Sequence, residues 1–277
     1  MIPAWFPKMS DNLRAREWNA SEYHRLSLPQ FQWGQRVLSQ LHLCGDELVL
    51  DAGCGSGKLA GLLAERLIRG RVVGVDLSRN MVAHARENLE PSFGQHVRFL
   101  AADMSALPFY GCFDGIFSTA SFHWVRDHST LFRSLYDALK PAGWLHAQCG
   151  GGTNLIRLRQ RVRALSETSE FSNWLEKFEE PWFFADANTT ADRLRHAGFV
   201  EVETGLERAP TTVATAAEFE DYLRTFILHR HLERFPDEAL RHAFVRKLAE
   251  QSSSDDPPWT FDYWRLNLRA KKPRLPK

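Results

Sequence analysis

Short apolar segments alternate with segments of helical periodicity between residues 46 and 150, and this rhythm constrains the fold more than any other feature. In the stretch from Lys58 to Ile68, for example, leucines recur at the spacing of one helix face. Strands joined through helices require right-handed crossovers and build a parallel sheet covered on both faces. We therefore expect a three-layer, doubly wound α/β fold. The predicted strands are Glu47–Asp51, Arg71–Asp76, Val97–Ala102, Phe113–Ser118 and Trp144–Gln148.

A glycine-rich segment, Asp51–Gly57 (DAGCGSG), lies between the first predicted strand and the first predicted helix. Ligands of open α/β sheets bind at the carboxyl ends of the strands, and glycines let a ligand approach the backbone closely. A glycine-rich turn without a ligand is the alternative. The GxGxxG/A dinucleotide fingerprint does not fit, because its third small residue would fall at Lys58. A carboxylate before the first glycine would repel a pyrophosphate and suits a cofactor with an ammonium group.

Acids also end the next two predicted strands, at Asp76 and Asp103. A carboxylate can accept hydrogen bonds from two hydroxyls at once, as the ribose of a nucleoside cofactor requires. Solvated loop acids are the alternative interpretation of each residue alone. Three acids at the ends of three consecutive strands argue against a chance pattern.

The segment Leu48–Gly57 resembles motif I of the class I S-adenosylmethionine-dependent methyltransferases. The resemblance implies S-adenosyl-L-methionine as cofactor, with Asp76 holding the ribose, Met81 packing on adenine and Asp103 at the adenine edge. It further implies a seven-stranded, mostly parallel sheet of Rossmann-like type with an antiparallel last strand. The cofactor-binding positions that it implies are Asp51, Ala52, Gly53, Cys54, Gly55, Gly57, Asp76, Leu77, Met81, Ala102, Asp103, Met104, Ser118, Thr119 and Ala120.

A narrower resemblance covers Trp18–Tyr23 (WNASEY), Ser118–Asp127, Leu139–Gly143 and Ala197–Phe199. These segments are similar to the trans-aconitate methyltransferase-like group, whose members methylate a carboxylate oxygen. The resemblance implies a small organic acid as acceptor. No definite carboxylate-binding arginine is identified by motif. The residues that it implies at the substrate pocket are Trp18, Tyr23, Phe122, His123 and Trp124.

His123 is the candidate catalytic base, with a histidine of the pocket wall as the alternative. A carboxylate acceptor is ionised at neutral pH and needs no base, whereas an alcohol, phenol or carbon acceptor does. Two other functions therefore stay open. One is C- or N-methylation of an apolar or aromatic metabolite, and the other is non-catalytic binding of S-adenosylmethionine.

The remaining length predicts one methyltransferase domain over residues 1–277 with helical additions. Helical additions of this kind can close a lid over a substrate and exclude water. The predicted parts are a helical flap (1–45), the cofactor-binding core (46–150), a helical lid (151–190 and 211–257) and the final strands (199–207 and 259–270). Helices are predicted over 154–185, 190–197 and 216–250, the last with a core-facing apolar side.

Arginines recur at every second position from Arg157 to Arg163, so alternate members share a helix face. One pair would bind a carboxylate or phosphate of the substrate in a bidentate manner, or the whole stretch would form a solvated helix surface. The sequence leaves both interpretations open.

The charge balance restricts the class of partner. Lys and Arg total 35 against 34 Asp and Glu, for a net charge of +1, which disfavours a nucleic-acid substrate. Four widely spaced cysteines without a CxxC pair predict no metal site and a reduced, cytoplasmic protein. We find neither a signal-peptide pattern nor an apolar run long enough to span a membrane. We expect a monomer or homodimer acting on a small molecule.

Overall fold

The computed structural model describes residues 28–274, so Trp18 and Tyr23 lie outside the described residues. Contacts divide the chain into two compact units. Unit 1 contains the residues up to Cys149, Asn188–Gly205 and the residues from Asn267 onward, and unit 2 contains Gly150–Ala187 and Leu206–Leu266. Unit 2 overlaps most of the segments predicted as a lid, and the lid role itself stays a prediction.

The helices and strands follow one another as the alternating pattern predicts. The helices are α1 (Leu28–Ser39), α2 (Lys58–Arg66), α3 (Arg79–Phe93), α4 (His128–Ala138), α5 (Ile156–Ser166), α6 (Ser172–Leu175), α7 (Ala187–His196), α8 (Ala216–Tyr222), α9 (His229–Leu232) and α10 (Glu238–Ser252). The strands are β1 (Leu48–Ala52), β2 (Arg71–Asp76), β3 (Val97–Ala101), β4 (Phe113–Thr119), β5 (Leu139–Gly150), β6 (Val200–Arg208), β7 (Thr211–Thr212), β8 (Thr260–Phe261) and β9 (Trp264–Lys271).

Seven of these strands form one sheet in the order β3-β2-β1-β4-β5-β9-β6. The pairs β3–β2, β2–β1, β1–β4 and β4–β5 are parallel. Val49 and Leu50 of the central strand β1 have no exposed surface, as is typical of a strand buried on both faces. The chain builds outward from β1 to β3 and then returns to β4, so the strand order reverses between β1 and β4. Such a switch point opens the crevice in which α/β proteins bind ligands.

The last strand of the sheet runs against its neighbour. Gln148 Nε2 bonds Asn267 Oδ1 at 2.8 Å, and Lys272 N bonds Gly143 O at 2.8 Å. Residue numbers therefore rise along β9 as they fall along β5. This pairing confirms the predicted antiparallel last strand in a mostly parallel, seven-stranded sheet.

Several predicted boundaries differ from the observed ones. The helix predicted over 154–185 breaks after α5 and α6, and the strand predicted over 259–270 divides because β8 pairs with β7 rather than joining β9. The helix predicted over 216–250 also breaks, passing through a π-helix (Leu223–Ile227). The next long helix, α10, begins after Pro236, at Glu238. The side chain of Asp237 caps this helix, because its Oδ1 accepts a hydrogen bond from Leu240 N at 2.9 Å.

Aromatic side chains build the interior of unit 2. Phe219 stacks on Phe261 with ring centroids 4.4 Å apart, and Phe171 meets Phe244 edge-to-face at 5.0 Å. The apolar face predicted for residues 216–250 is buried, at Phe219, Tyr222, Leu223, Phe226 and Ile227. None of the described helices combines the length and the apolar character needed to cross a bilayer.

Candidate active site

The loop between β1 and α2 turns through three glycines in the left-handed region. Gly53, Gly55 and Gly57 have φ values of +81°, +53° and +86°. Such φ values are strained for residues with a Cβ and cost a glycine nothing. Among the described residues, nothing lies within 4 Å of the point where a Cβ of Gly55 would project. The middle of the loop is therefore open to a ligand at the switch point of the sheet.

Strand β2 holds one side of this loop. Gly53 N and Cys54 N both donate to Val75 O, at 2.8 and 2.9 Å. Asp76 Oδ2 accepts a hydrogen bond from Gly55 N at 2.9 Å, and its Oδ1 accepts one from Ser78 N at 2.9 Å. A carboxylate offers about four lone-pair sites, so Asp76 retains capacity for further donors. Its predicted ribose contact is compatible with this second role in shaping the loop.

Asp51, at the end of β1, is a buried acid in an unusual setting. The residue is 2% exposed, and no described residue forms a hydrogen bond to its Oδ2. Burial, and then the negative charge of Asp76, raise the pKa of Asp51 to about 8. Burial also raises the pKa of the Cys54 thiol, with added repulsion from Asp51 and Asp76. A buried carboxylate oxygen without a hydrogen-bond partner is destabilising, and a cation placed beside it would relieve the cost.

The ends of β2 and β3 bring apolar and acidic groups together. Leu77 is 39% exposed beside Asp76, whereas Met81 is 3% exposed under the start of α3. Asp103 Oδ1 accepts a hydrogen bond from Ser105 N at 2.8 Å and so begins a 3₁₀ turn, Met104–Ala106. The Met104 methyl group lies 3.2 Å from where a Cβ of Gly53 would stand. Asp76 and Met104, from the ends of these two strands, thus border the glycine loop.

Two serines from the end of β4 hold the other side of the loop. Ser118 Oγ donates to Ala52 O at 2.6 Å. Ser121 Oγ lies 3.0 Å from Gly53 O and 2.8 Å from Thr119 O. Between the two serines, Ala120 adopts φ +54° and donates from its N–H to Gln148 O at 2.8 Å. Ser121 was not among the predicted site residues, although it closes the same STAS segment as Ser118.

His123 lies on the next turn, a 3₁₀ helix over Phe122–Trp124. Its ring centroid is 5.2 Å from that of Trp124. Phe122 is 1% exposed and packs edge-to-face on Phe132, so its ring belongs to the core. Nearby, burial lowers the pKa of His128, whose Nε2 lies 3.0 Å from Phe122 O. The substrate contacts predicted for His123, Trp124 and Phe122 stay predictions.

Comparison with known proteins bears on this arrangement. The family described as "Methyltransferase domain" matches residues 49–143, which carry the glycine loop and all three strand-end acids. An uncharacterized methyltransferase of Schizosaccharomyces pombe is 27% identical over 269 residues, covering 92% of this chain and 98% of the relative. A trans-aconitate 2-methyltransferase of Variovorax paradoxus is 33% identical over 182 residues, covering 65% of this chain. Together with the fold, these matches support a class I S-adenosylmethionine-dependent methyltransferase.

Solved structures agree on the fold of the methyltransferase. Haemonchus contortus phosphoethanolamine N-methyltransferase 2, solved with S-adenosyl-L-methionine, matches with a TM-score of 0.60 at 21% identity, over 92% of this chain and 57% of that one. The chain spans 62% of the length of the Variovorax relative. The solved structure supports the fold, and the sequence relatives support the family.

The residues of the methyltransferase fit its cofactor, S-adenosylmethionine. The partnerless oxygen of Asp51 is suited to an ammonium group, and the space beside Gly55 admits a ligand close to the backbone. Leu77, an exposed apolar side chain next to Asp76, offers a surface that a flat base would cover. Three independent features therefore match a molecule that is cationic at one end and aromatic at the other.

The arginines of helix α5 are engaged within unit 2 of the methyltransferase. Arg161 forms a two-pronged ion pair with Asp255 at 2.6 and 2.9 Å, and Arg157 Nη1 lies 3.3 Å from the same carboxylate. Arg159 pairs with Glu180 at 2.5 Å. Of the four, only Arg163 fits the solvated-surface interpretation, since it and its partner Glu167 are both well exposed. The other three arginines form ion pairs within their own unit.

The described residues contain no group of three or more His, Cys, Asp or Glu side chains arranged to hold a metal ion.

Proposed function

We propose that this methyltransferase transfers a methyl group to a carboxylate oxygen of a small organic acid. The observation that carries the proposal is the likeness to a trans-aconitate 2-methyltransferase at 33% identity over 182 residues. The near-zero net charge is compatible with a small metabolite as acceptor. The FHW turn after β4 is the part of the described site that we assign to the acceptor side.

Asp51 and Asp76 would bind different parts of the cofactor. Asp51 would hold the ammonium group through its free oxygen, and Asp76 would receive the ribose hydroxyls. Leu77 and Met81 would pack on the adenine, with Asp103 at its edge. S-adenosylmethionine supplies an activated methyl group on a sulfonium. The remaining task of the protein is to align the acceptor and exclude water.

No general base is needed for a carboxylate acceptor. The pKa of an ordinary carboxylic acid lies near 4, so the acceptor is already ionised at neutral pH. We assign His123 to the wall of the acceptor site rather than to proton transfer. His123→Phe should therefore change KM for the acid more than kcat. A bell-shaped or rising pH profile of kcat that vanishes in His123→Phe would instead make it the base.

A screen of acceptors tests the proposal. The purified full chain is incubated with S-adenosylmethionine and either trans-aconitate, other di- and tricarboxylic acids, phenols or amines. Release of S-adenosylhomocysteine and the product mass are measured. We expect methylated carboxylic acids whose added methyl group is lost on mild alkaline hydrolysis, as an ester requires. Base-stable products formed from amines or phenols alone, or binding without turnover, would contradict the proposal. Asp76→Ala is the loss-of-binding control for every acceptor.

A further inference from the structure

Two loops meet at Ser121, and only one of them belongs to the glycine motif. Ser121 Oγ lies 3.0 Å from Gly53 O across the switch point and 2.8 Å from Thr119 O within its own loop. A hydroxyl carries one hydrogen, so the two carbonyl oxygens share a single donor. Ser121 is largely buried, which makes this contact costly to lose.

The approach of the loops depends on the absence of a side chain at Gly53. A Cβ at that position would lie 2.1 Å from Ser121 Oγ and 2.4 Å from its Cβ, well inside van der Waals contact. A glycine at position 53 therefore allows both the φ of +81° and the close approach of Ser121. The space that a side chain at Gly53 would occupy is taken by Ser121.

The turn that carries His123 is hydrogen-bonded to the same serine. Trp124 N donates to Ser121 O at 3.0 Å, and Val125 N donates to Phe122 O at 2.9 Å. The buried ring of Phe122 fixes this turn to the core on one side. The Ser121 hydroxyl fixes it to the glycine loop on the other.

We propose that Ser121 is a positioning residue that sets the gap between the cofactor loop and the turn bearing His123. The glycine loop keeps its own support from β2 through Val75 O and Asp76 Oδ2, so it survives loss of the serine hydroxyl. The acceptor-side turn loses its lateral tie. Because misplacement of a reacting group by about 1 Å can cost roughly 100-fold in rate, alignment should suffer more than cofactor binding.

Amide hydrogen exchange of the full chain tests this without any acceptor. In Ser121→Ala, the Trp124 and Val125 amides should exchange at least about tenfold faster, whereas Gly53 and Cys54, bonded to Val75 O, should stay within about threefold. Ser121→Cys keeps the side-chain volume with a weak donor and should behave like Ser121→Ala. Ser121→Thr keeps the hydroxyl and should restore slow exchange. Ser134→Ala is the matched control, because Ser134 Oγ accepts a hydrogen bond from Leu107 N elsewhere in unit 1.

A second arm, which rests on the proposed function, measures turnover with the best carboxylic acid. We expect Ser121→Ala to lower kcat at least about tenfold, while the calorimetric Kd for S-adenosylhomocysteine changes less than about threefold. Unchanged exchange at Trp124 and Val125, or equal acceleration at Gly53 and Cys54, would overturn the proposal. If no acid is methylated, the proposed function fails and the exchange measurement still decides the role of Ser121.

Discussion

Asp51 in unit 1 and Asp255 in unit 2 both have buried side chains, and the surroundings of the two carboxyl groups are opposite. The Asp255 side chain is 7% exposed and lies between the guanidinium groups of Arg161 and Arg157. Asp51 is 2% exposed, has an oxygen with no described partner and faces a second acid, Asp76. A buried charge that its own chain neutralises is part of the architecture. A buried acid that its own chain leaves without a cation is a candidate site for a cationic ligand.

Removing the charge of Asp51 should weaken cofactor binding severely. In Asp51→Asn, the affinity for S-adenosylmethionine at pH 8 should fall by roughly 1,000-fold, or about 4 kcal/mol, because the ammonium group of the ligand would lose its buried partner. The ligand-free protein should meanwhile melt at a higher temperature, since an amide costs less to bury than a carboxylate. Calorimetric titration and differential scanning calorimetry measure both changes.

The exposed acid Asp46 provides the control for this experiment. Its carboxylate lies 4.0 Å from Arg69 at the surface, and Asp46→Asn should change neither affinity nor melting temperature measurably. If the Asp51→Asn variant binds the cofactor normally, Asp51 does not hold the ligand. The functional difference between Asp51 and Asp255 would then be contradicted.

Asp255→Asn tests the architectural end of the comparison. The substitution leaves Arg157 and Arg161 without their shared carboxylate and should lower the free energy of unfolding by about 3 kcal/mol. Urea denaturation measures the loss. Asp192→Asn, which removes the partner of Arg195 from an exposed pair, should cost less than about 0.5 kcal/mol. Equal losses in the two variants would mean that burial adds nothing to the pairing in unit 2.

The affinity for the cofactor should depend on the protonation state of Asp51. With a pKa near 8, Asp51 is protonated at pH 6 and must lose that proton before it can attract an ammonium group. Affinity should therefore rise about tenfold, or ~1.4 kcal/mol, per pH unit below 8, up to the pH at which the ammonium group of the ligand itself begins to lose its proton. Titrations at pH 7 in buffers of different ionisation enthalpy should show nearly one proton released per cofactor bound. If no proton is released and the affinity does not depend on pH, Asp51 is already ionised in the ligand-free protein.

The same pKa governs the stability of the ligand-free protein in the opposite direction. Between about pH 4 and pH 8 the native state keeps a proton on Asp51 that the unfolded chain has lost, so the free energy of unfolding falls as the pH rises. The difference in unfolding free energy between wild type and Asp51→Asn isolates this contribution. It should grow across that window and stay constant above it.

The two acids also differ in how visible they were in the sequence. Asp51 belongs to a local pattern, because the glycine spacing and the strand that precedes it lie within a few residues, so its site was predicted. The partners of Arg157 and Arg161 lie more than ninety residues away, where no local periodicity reaches. The contact of Ser121 with Gly53 was not predicted for a similar reason, because it depends on the register of β1 against β4. The antiparallel β9 followed from the family resemblance rather than from hydrophobic pattern.

The smallest expected effect concerns a half-buried pair between the two extremes. Arg159 and Glu180 bond at 2.5 Å, and each side chain is about one-third exposed. Arg159→Met should cost about 1 kcal/mol in unfolding free energy, since solvent screens part of the attraction. Arg163→Met, at the exposed end of the same helix, should cost about 0.3 kcal/mol or less. Urea denaturation at low and high salt separates the two. The free energy lost in Arg159→Met should shrink only slightly in 1 M salt, because the pair is partly withdrawn from the ions that screen the exposed one. A loss that vanishes in salt would place Arg159 with the surface pairs.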